Sequence, residues 1–305
     1  MSSLRPRLGH WLLRCPLCKS GFTAAAGAFV CQNRHSFDLA REGYANLLRS
    51  GRRRPASGGD GPTQLRYRAE FLGAGHLAAV GATVAQHIER SVHGAAHLLD
   101  AGSGTGHHLA RLTATMTGPV IGLGLDISKH AVRYAARHWP TLAFAVADLW
   151  GEWPVHDAAA DLVVSIFAPK NFPEVARVLR HGGWLALAYP GPEHMIELRD
   201  RFGLLRQDER SAGRYADMAR RLVGPTCVTR LRRRTVLDPA TACALILMGP
   251  NARRFDSTVL DLGPDPLAVT LEINVLFARK PRGSHDYPYR SIRAGYRQRS
   301  VVGGV

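Results

Sequence analysis

The sequence has no apolar run approaching the roughly 18 residues that span a bilayer, so nothing in it reads as a transmembrane helix. Behind Arg5 and Arg7 stands only the short apolar piece Trp11-Leu12-Leu13, too brief for the h-region of a secretory leader. Cysteine is scarce, with five in 305 residues and three of those clustered. So few thiols exclude a disulfide framework and point to metal ligation in a reducing compartment. The expected location is the cytoplasm. Acidic residues are short as well: 24 Asp and Glu face 40 Lys and Arg, a net charge of +16 with pI near 10.5. That imbalance favours a polyanionic partner, nucleic acid first. What is plentiful is apolar content, 46%, enough for a full α/β domain and a small accessory one.

The stretch Leu98-Leu99-Asp100-Ala101-Gly102-Ser103-Gly104-Thr105-Gly106-His107 reads as a short buried strand, an acid, a glycine loop and the first turn of a helix. Glycines at 102, 104 and 106 remove Cβ atoms where a backbone must approach a ligand closely. A dinucleotide site would show G-x-G-x-x-G. The spacing here is D-x-G-x-G-x-G, which resembles motif I of class I S-adenosylmethionine methyltransferases. That likeness implies a doubly wound, Rossmann-like α/β sheet and places Asp100, Gly102, Gly104, Gly106 and His107 at the cofactor. A second strand, Val120 to Leu125, ends in Asp126, where a carboxylate can accept both hydrogen bonds of a ribose diol. A third, Leu142 to Ala147, ends in Asp148-Leu149, the position that meets the adenine in such enzymes. The competing reading of Asp126 and Asp148 is that each caps the helix that follows.

Cys15-Pro16-Leu17-Cys18, twelve residues, then Cys31-Gln32-Asn33-Arg34-His35 has the spacing of a zinc module. Cys15, Cys18, Cys31 and His35 can close a tetrahedron around Zn²⁺, and four protein ligands leave no position for water, so the site is expected to be structural. Gly21, Gly27, Phe22, Phe29 and Val30 suit a small hairpin between the pairs. A unit this small cannot bury enough surface to fold alone, and metal binding supplies the missing stability.

Ser36-Phe37-Asp38-Leu39-Ala40-Arg41-Glu42-Gly43-Tyr44-Ala45-Asn46-Leu47-Leu48 follows the last ligand directly. A CPxC…C…H module running into FD-A-EGY-NLL resembles the start of the 23S rRNA (guanine-N1)-methyltransferases of the RlmA/TlrB type. The likeness continues through Gly59-Asp60, Arg68 to Leu72 and Gly75-His76, departs at Leu77 where an aromatic is expected, and extends to about residue 280. It implies a methyltransferase using S-adenosylmethionine, with an N-terminal zinc module, acting on a 23S rRNA hairpin that lines the peptide exit tunnel; protection against a tylosin- or mycinamicin-type macrolide follows from the same family. The expected organisation is a zinc-binding RNA-recognition module over 1–48, a basic linker over 49–75, the methyltransferase domain over 76–280 and a basic tail over 281–305. A homodimer is left open. In the linker, Arg52, Arg53 and Arg54 are candidates for phosphate contacts, although for any one of them a solvated charged segment is the simpler account.

Asp161-Leu162-Val163-Val164-Ser165-Ile166 reads as a fourth buried strand, and its carboxyl end runs into Phe167-Ala168-Pro169-Lys170-Asn171. Ligands of doubly wound sheets sit beyond the strands' carboxyl ends, so this segment is expected beside the transferring methyl. By position it resembles motif IV of base-modifying methyltransferases, with Phe167 stacking on a base, Pro169 in the turn and Asn171 reading a guanine edge. The competing reading is an ordinary strand-to-helix turn capped by Asn171. Met248-Gly249-Pro250 is a second candidate wall of the base pocket. Two other functions fit parts of the chain: a small-molecule methyltransferase of the ubiquinone-biosynthesis type, opposed by the zinc spacing and the charge, and a non-catalytic zinc-dependent RNA-binding protein, opposed by the intact Asp100, Asp126 and Asp148.

Overall fold

The computed structural model describes residues 7–25, 27–49, 59–89, 96–206, 210–255 and 260–283. The linker arginines 52–54 and the tail from 284 onward lie outside the described residues.

A 3-10 turn, Leu8–Leu12, precedes three short strands, β1 (Phe22–Ala25), β2 (Ala28–Cys31) and β3 (Ser36–Asp38), which form an antiparallel sheet of their own. Next come β4 (Ala45–Asn46), α1 (Pro62–Gly73), α2 (Ala78–Ile88), β5 (Ala96–Ala101), α3 (His107–Thr115), β6 (Val120–Asp126), α4 (Lys129–His138) and β7 (Ala143–Val146). The second half holds β8 (Ala160–Ile166), α5 (Phe172–Val178), β9 (Leu179–Pro190), α6 (Ile196–Phe202), α7 (Arg210–Leu222), β10 (Thr226–Leu237), α8 (Pro239–Leu247) and β11 (Leu267–Arg279).

Eight strands make the main sheet in the order β10-β11-β9-β8-β5-β6-β7-β4. From β4 to β9 they run parallel; β11 pairs antiparallel with β9 and β10 antiparallel with β11. The strand order reverses at β5, with β6 on one side and β8 on the other, and the crevice at that switch point is where such sheets take ligands. Every residue of β8 is buried, as a central parallel strand covered on both faces requires. Alternate side chains feed two cores. Leu98, Leu162 and Val164 pack under Phe71, Val80, Leu109 and Leu245 on one face, while Leu99, Leu123 and Val163 meet Val175, Val178 and Leu222 on the other.

Two boundaries differ from the sequence reading. Helix α1 falls inside the stretch 49–75 read as linker: the helical spacing of apolar residues that runs from Gln64 to Arg90 starts within it, and Phe71 and Leu72 bury in the first core with α1 packed on α8 and α4. The zinc module is also no separate arm. Leu12, Leu13, Phe29, Leu39 and Leu47 belong to the second core, β4 extends the main sheet by pairing with β7, and Gly9 lies so close to β6 that a Cβ there would stand 2.3 Å from the Gly122 carbonyl oxygen.

One ion cluster, buried at Arg177 and Glu174, ties α5 to the loop before β8. Arg177, at the end of α5, donates to the Glu174 carboxylate (2.5–3.1 Å), to Asp157 (2.5 Å) and to the backbone carbonyls of Trp153 and Val155. Glu174 in turn accepts the Trp153 amide at 2.8 Å. Replacing Arg177 by Leu strands a buried carboxylate and is expected to cost about 3–5 kcal/mol, most of it regained on replacing Glu174 by Leu as well. Chemical denaturation of the three proteins checks this; a single variant within about 1 kcal/mol of wild type would refute the cluster's role.

Candidate functional site

A cavity of about 320 Å³ opens at the carboxyl ends of β5, β6, β8 and β9, within the range of small-molecule sites. Its floor is the glycine loop. Gly102 (φ 97°) lies against the β8 loop so tightly that a Cβ would meet the Ala168 Cβ at 2.2 Å. Gly106 (φ 74°) starts α3 where a Cβ would press on Trp139, Phe144 and Ala135 at 2.8–3.0 Å. The amides of Gly102 and Ser103 both donate to the Leu125 carbonyl, which ties this loop to the end of β6.

There Asp126 faces the cavity. Its carboxylate accepts from the Gly104 amide at 2.9 Å and the Ser128 amide at 2.8 Å. Burial raises its pKa, against those two hydrogen bonds. Gly102 and Gly104 line the cavity, as do Leu149 and the half-exposed Trp150 beside it. Asp100 does not: it lies beneath the loop, 2% exposed, and burial followed by the Asp126 charge pushes its pKa up to about 8. Asp148 also stands behind the wall, accepting the Trp150 amide at 3.0 Å, and Gly106 is behind it as well. At the start of α3 the neighbour of the expected histidine takes the place: His108 lines the cavity and His107 does not, because the helix turns the side chain at 107 about 100° away from that at 108. Asp60 and Arg68, an ion pair, close the near side, with Arg68 also donating to the Met248 carbonyl at 2.6 Å. Glycines with no room for a Cβ, amides at the loop and an inward carboxylate suit the amino-acid and ribose parts of S-adenosylmethionine.

On the other side stand Phe167, Ala168 and Pro169, with Met248, Gly249 and Pro250. Phe167 adopts φ 53° and is 38% exposed; non-glycine residues held there cost about 1–3 kcal/mol and gather at functional sites. Asn171 is a correction. It is buried outside the cavity, its Oδ1 accepting the Glu174 amide as the α5 cap and its Nδ2 donating to the carbonyls of Leu149 (3.1 Å) and Gly151 (2.9 Å). With both ends of the amide engaged, none is left for a base edge. Lys170 packs over the Tyr215 ring, and burial lowers its pKa to about 8. His194, Arg199 and Asn251 also line the cavity, and no motif in the sequence marked them.

The four expected metal ligands converge. The atoms of Cys15, Cys18, Cys31 and His35 lie within 4.8 Å of one another, with Cys18 Sγ to Cys31 Sγ at 3.5 Å and His35 Nδ1 to the sulfurs of Cys15 and Cys31 at 3.5 and 3.3 Å. A zinc tetrahedron has S···S edges of about 3.8 Å and S···N edges of about 3.6 Å for ordinary bond lengths, so the cluster fits Zn²⁺ held structurally. Lys19 (φ 67°) and Arg34 (φ 60°) turn the two knuckles. Arg14, next to Cys15, pairs with Glu152 and Asp157 and donates its amide to the Pro154 carbonyl, so the metal centre and the loop that carries Leu149 and Trp150 are joined.

Two outcomes follow from this geometry. Asp100 has a folded pKa near 8 against 3.8 unfolded, so folding takes up a proton between those values, and stability falls as pH rises from about 4 to about 8. Asp100→Asn should flatten that dependence in thermal melts of the protein without cofactor; an unchanged slope would refute it. Chelating the metal should release one equivalent of zinc and, through Arg14, weaken S-adenosylmethionine about tenfold as well as destabilise the fold. Cofactor affinity within threefold of the loaded protein, measured by calorimetry, would refute that coupling.

Comparison with known proteins matches both halves of the chain. Residues 13–54 match the zinc ribbon family described as RlmA, N-terminal, and residues 98–183 match the methyltransferase domain family. A putative 23S rRNA (guanine-N1)-methyltransferase of Micromonospora griseorubida is 38% identical over 86% of this chain and 95% of its own length. The 23S rRNA (guanine(748)-N1)-methyltransferase of Streptomyces fradiae is 38% identical over 84% and 88%. A putative 23S rRNA (guanine-N1)-methyltransferase of Bacillus subtilis is 36% identical over 62% and 67%. With zinc ribbon and methyltransferase domain both present and nearly the whole length of the first two relatives spanned, the chain belongs to the 23S rRNA (guanine-N1)-methyltransferase family.

Proposed function

We propose that this protein moves the methyl group of S-adenosylmethionine to N1 of a guanine displayed on a 23S rRNA hairpin near the peptide exit tunnel, in the cytoplasm, and that the mark protects ribosomes from a tylosin- or mycinamicin-type macrolide. The observation that carries the reading is the single cavity that joins a glycine-and-carboxylate edge to a strained, exposed aromatic, Phe167, at the end of β8. The relatives' names supply the substrate class, and the +16 charge suits a polyphosphate partner. Among the described residues no helix is long and apolar enough to cross a membrane.

Methyl transfer is an in-line displacement, so the chain's own task is positioning. Guanine N1 lies on the pairing edge, and the base must leave its stack, at a cost of a few kcal/mol in a duplex and less in a loop. Phe167 and the half-exposed Trp150 offer aromatic faces for it; stacking of this kind is worth about 1–3 kcal/mol per base. Gly102, Gly104, Asp126 and Leu149 hold the cofactor in this reading, with Asp100, Gly106, His107 and Asp148 shaping the loops behind them. Pro169 and Asn171 set the loop that presents Phe167.

Incubation with labelled S-adenosylmethionine and unmodified 23S rRNA should place one label on one guanine and block reverse transcription there; labelling at any other atom, or none, overturns the reading. Sedimentation of the same sample separates a monomer from the homodimer left open by the sequence. Phe167→Ala should cut methylation about tenfold or more, as a lost stacking contact of that size implies, with cofactor affinity nearly unchanged. Asn171→Ala should act on stability, lowering the melting point through a lost cap worth about 0.5–2 kcal/mol. Equal loss of cofactor affinity in Phe167→Ala would remove that residue from the base pocket.

A further inference from the structure

Guanine N1 carries a proton, and methylation must take it away. Among the described residues, the titratable side chains lining the cavity are Asp60, Arg68, His108, Asp126, His194 and Arg199. Asp60 and Arg68 pair with each other. Asp126 is held by two amides on the cofactor side. His108 stands in the first turn of α3, directly after the glycine loop, also on that side. Arg199 offers only donors, with no acceptor for a proton. His194 remains. It faces Phe167, ring centroids 6.1 Å apart and planes 29° from parallel, so it stands beside the ring offered to the base.

Its surroundings are built rather than incidental. His194 is 9% exposed, and its Nδ1 is buried without a hydrogen-bond partner, a state that costs about 1–3 kcal/mol unless something uses it. The turn that carries it is pinned on both sides. Gly191 donates to the Glu272 carbonyl at 2.9 Å, Glu193 to the Glu272 carboxylate at 2.6 Å, and Met195 to the Thr270 carbonyl at 2.7 Å. Glu272 is fully buried, and Met195 is held at φ 57°. Of the five described non-glycine residues with positive φ, the two that line this cavity are Phe167, one ring of the stack, and Met195, the neighbour of the other.

Resting on the proposed function, we infer that His194 is the catalytic base: its unprotonated imidazole nitrogen takes the guanine N1 proton as the N1 electron pair forms the bond to the methyl carbon. The carbon–sulfur bond of S-adenosylmethionine breaks with its electrons on sulfur, leaving S-adenosylhomocysteine, 1-methylguanine and an imidazolium that then gives the proton to solvent. Burial and the Arg199 guanidinium pull the imidazole down to about 4, with a hydrogen bond to the Glu272 backbone carbonyl opposing them. A group so poised is empty of its proton at neutral pH. A weak base suffices, since the N1 proton becomes far more acidic as the methyl bond forms, and burial hastens the imidazolium's discharge.

The test is single-turnover methylation of an unmodified 23S rRNA hairpin by wild type, His194→Ala and His194→Asn, with cofactor and hairpin affinities measured on the same proteins. Removing a general base costs about 10²–10⁴ in rate. Both variants should therefore slow at least a hundredfold while binding cofactor and hairpin as wild type does, and added imidazole should restore part of the rate of His194→Ala. His194→Asn keeps a buried polar side chain and carries the test if the alanine variant does not fold. A variant rate within threefold of wild type, or a loss matched by lost hairpin affinity, overturns the inference alone. A wild-type protein that leaves guanine N1 unmethylated overturns the function on which it rests.

Discussion

The site depends on the close approach of two loops at the centre of the sheet. The turn after β5 and the turn after β8 touch where Gly102 meets Ala168, with no room for a single added carbon. Because β5 and β8 are neighbours at the point where the strand order reverses, this contact brings the glycine loop and the Phe167 turn into one cavity. Gly102 and Ser103 donating to Leu125, and Gly104 to Asp126, draw in the end of β6 as well. Three separate chain segments thus line one cavity, the arrangement that a displacement limited by alignment requires.

Around that contact the molecule is braced from below. Asn171 at the cap of α5 holds the loop 149–157 through its amide, and Glu174 and Arg177 on α5 clamp the same loop with buried, charge-assisted hydrogen bonds, which are stronger than neutral ones. The same loop is gripped from the other side by Arg14, one residue before the metal ligand Cys15. Zinc, loop and helix therefore form one continuous support. A zinc ribbon too small to fold alone is stabilised here by its metal and by burying Leu12, Leu13 and Phe29 against the sheet, and the sheet edge gains a strand in return.

Charge is distributed with similar economy. On β10, Arg230 and Arg232 pair with Glu193 and Glu272, so the arginine-rich strand is partly neutralised, and its charges also guard an exposed sheet edge against pairing with another chain.

Much of this was legible in the residues. Hydrophobic runs ending in Asp126 and Asp148, the glycine loop and the Cys-Cys-Cys-His spacing are local signals, since a strand, a tight turn and a metal knuckle are each set by a few adjacent residues; all of these elements formed where their patterns placed them. The sequence could not tell which of two adjacent histidines, 107 or 108, faces the ligand, because that depends on how α3 rolls against its neighbours. Asn171 sits at the right place in the chain, yet its amide is spent on Leu149 and Gly151, partners about twenty residues away. His194 carried no motif at all. Its role arises only where β9 and β11 pair and Glu272 pins the intervening turn. Local chemistry is written in neighbouring residues, whereas burial, orientation and partnership are properties of the packed chain, and those decided which of the marked residues reach the site.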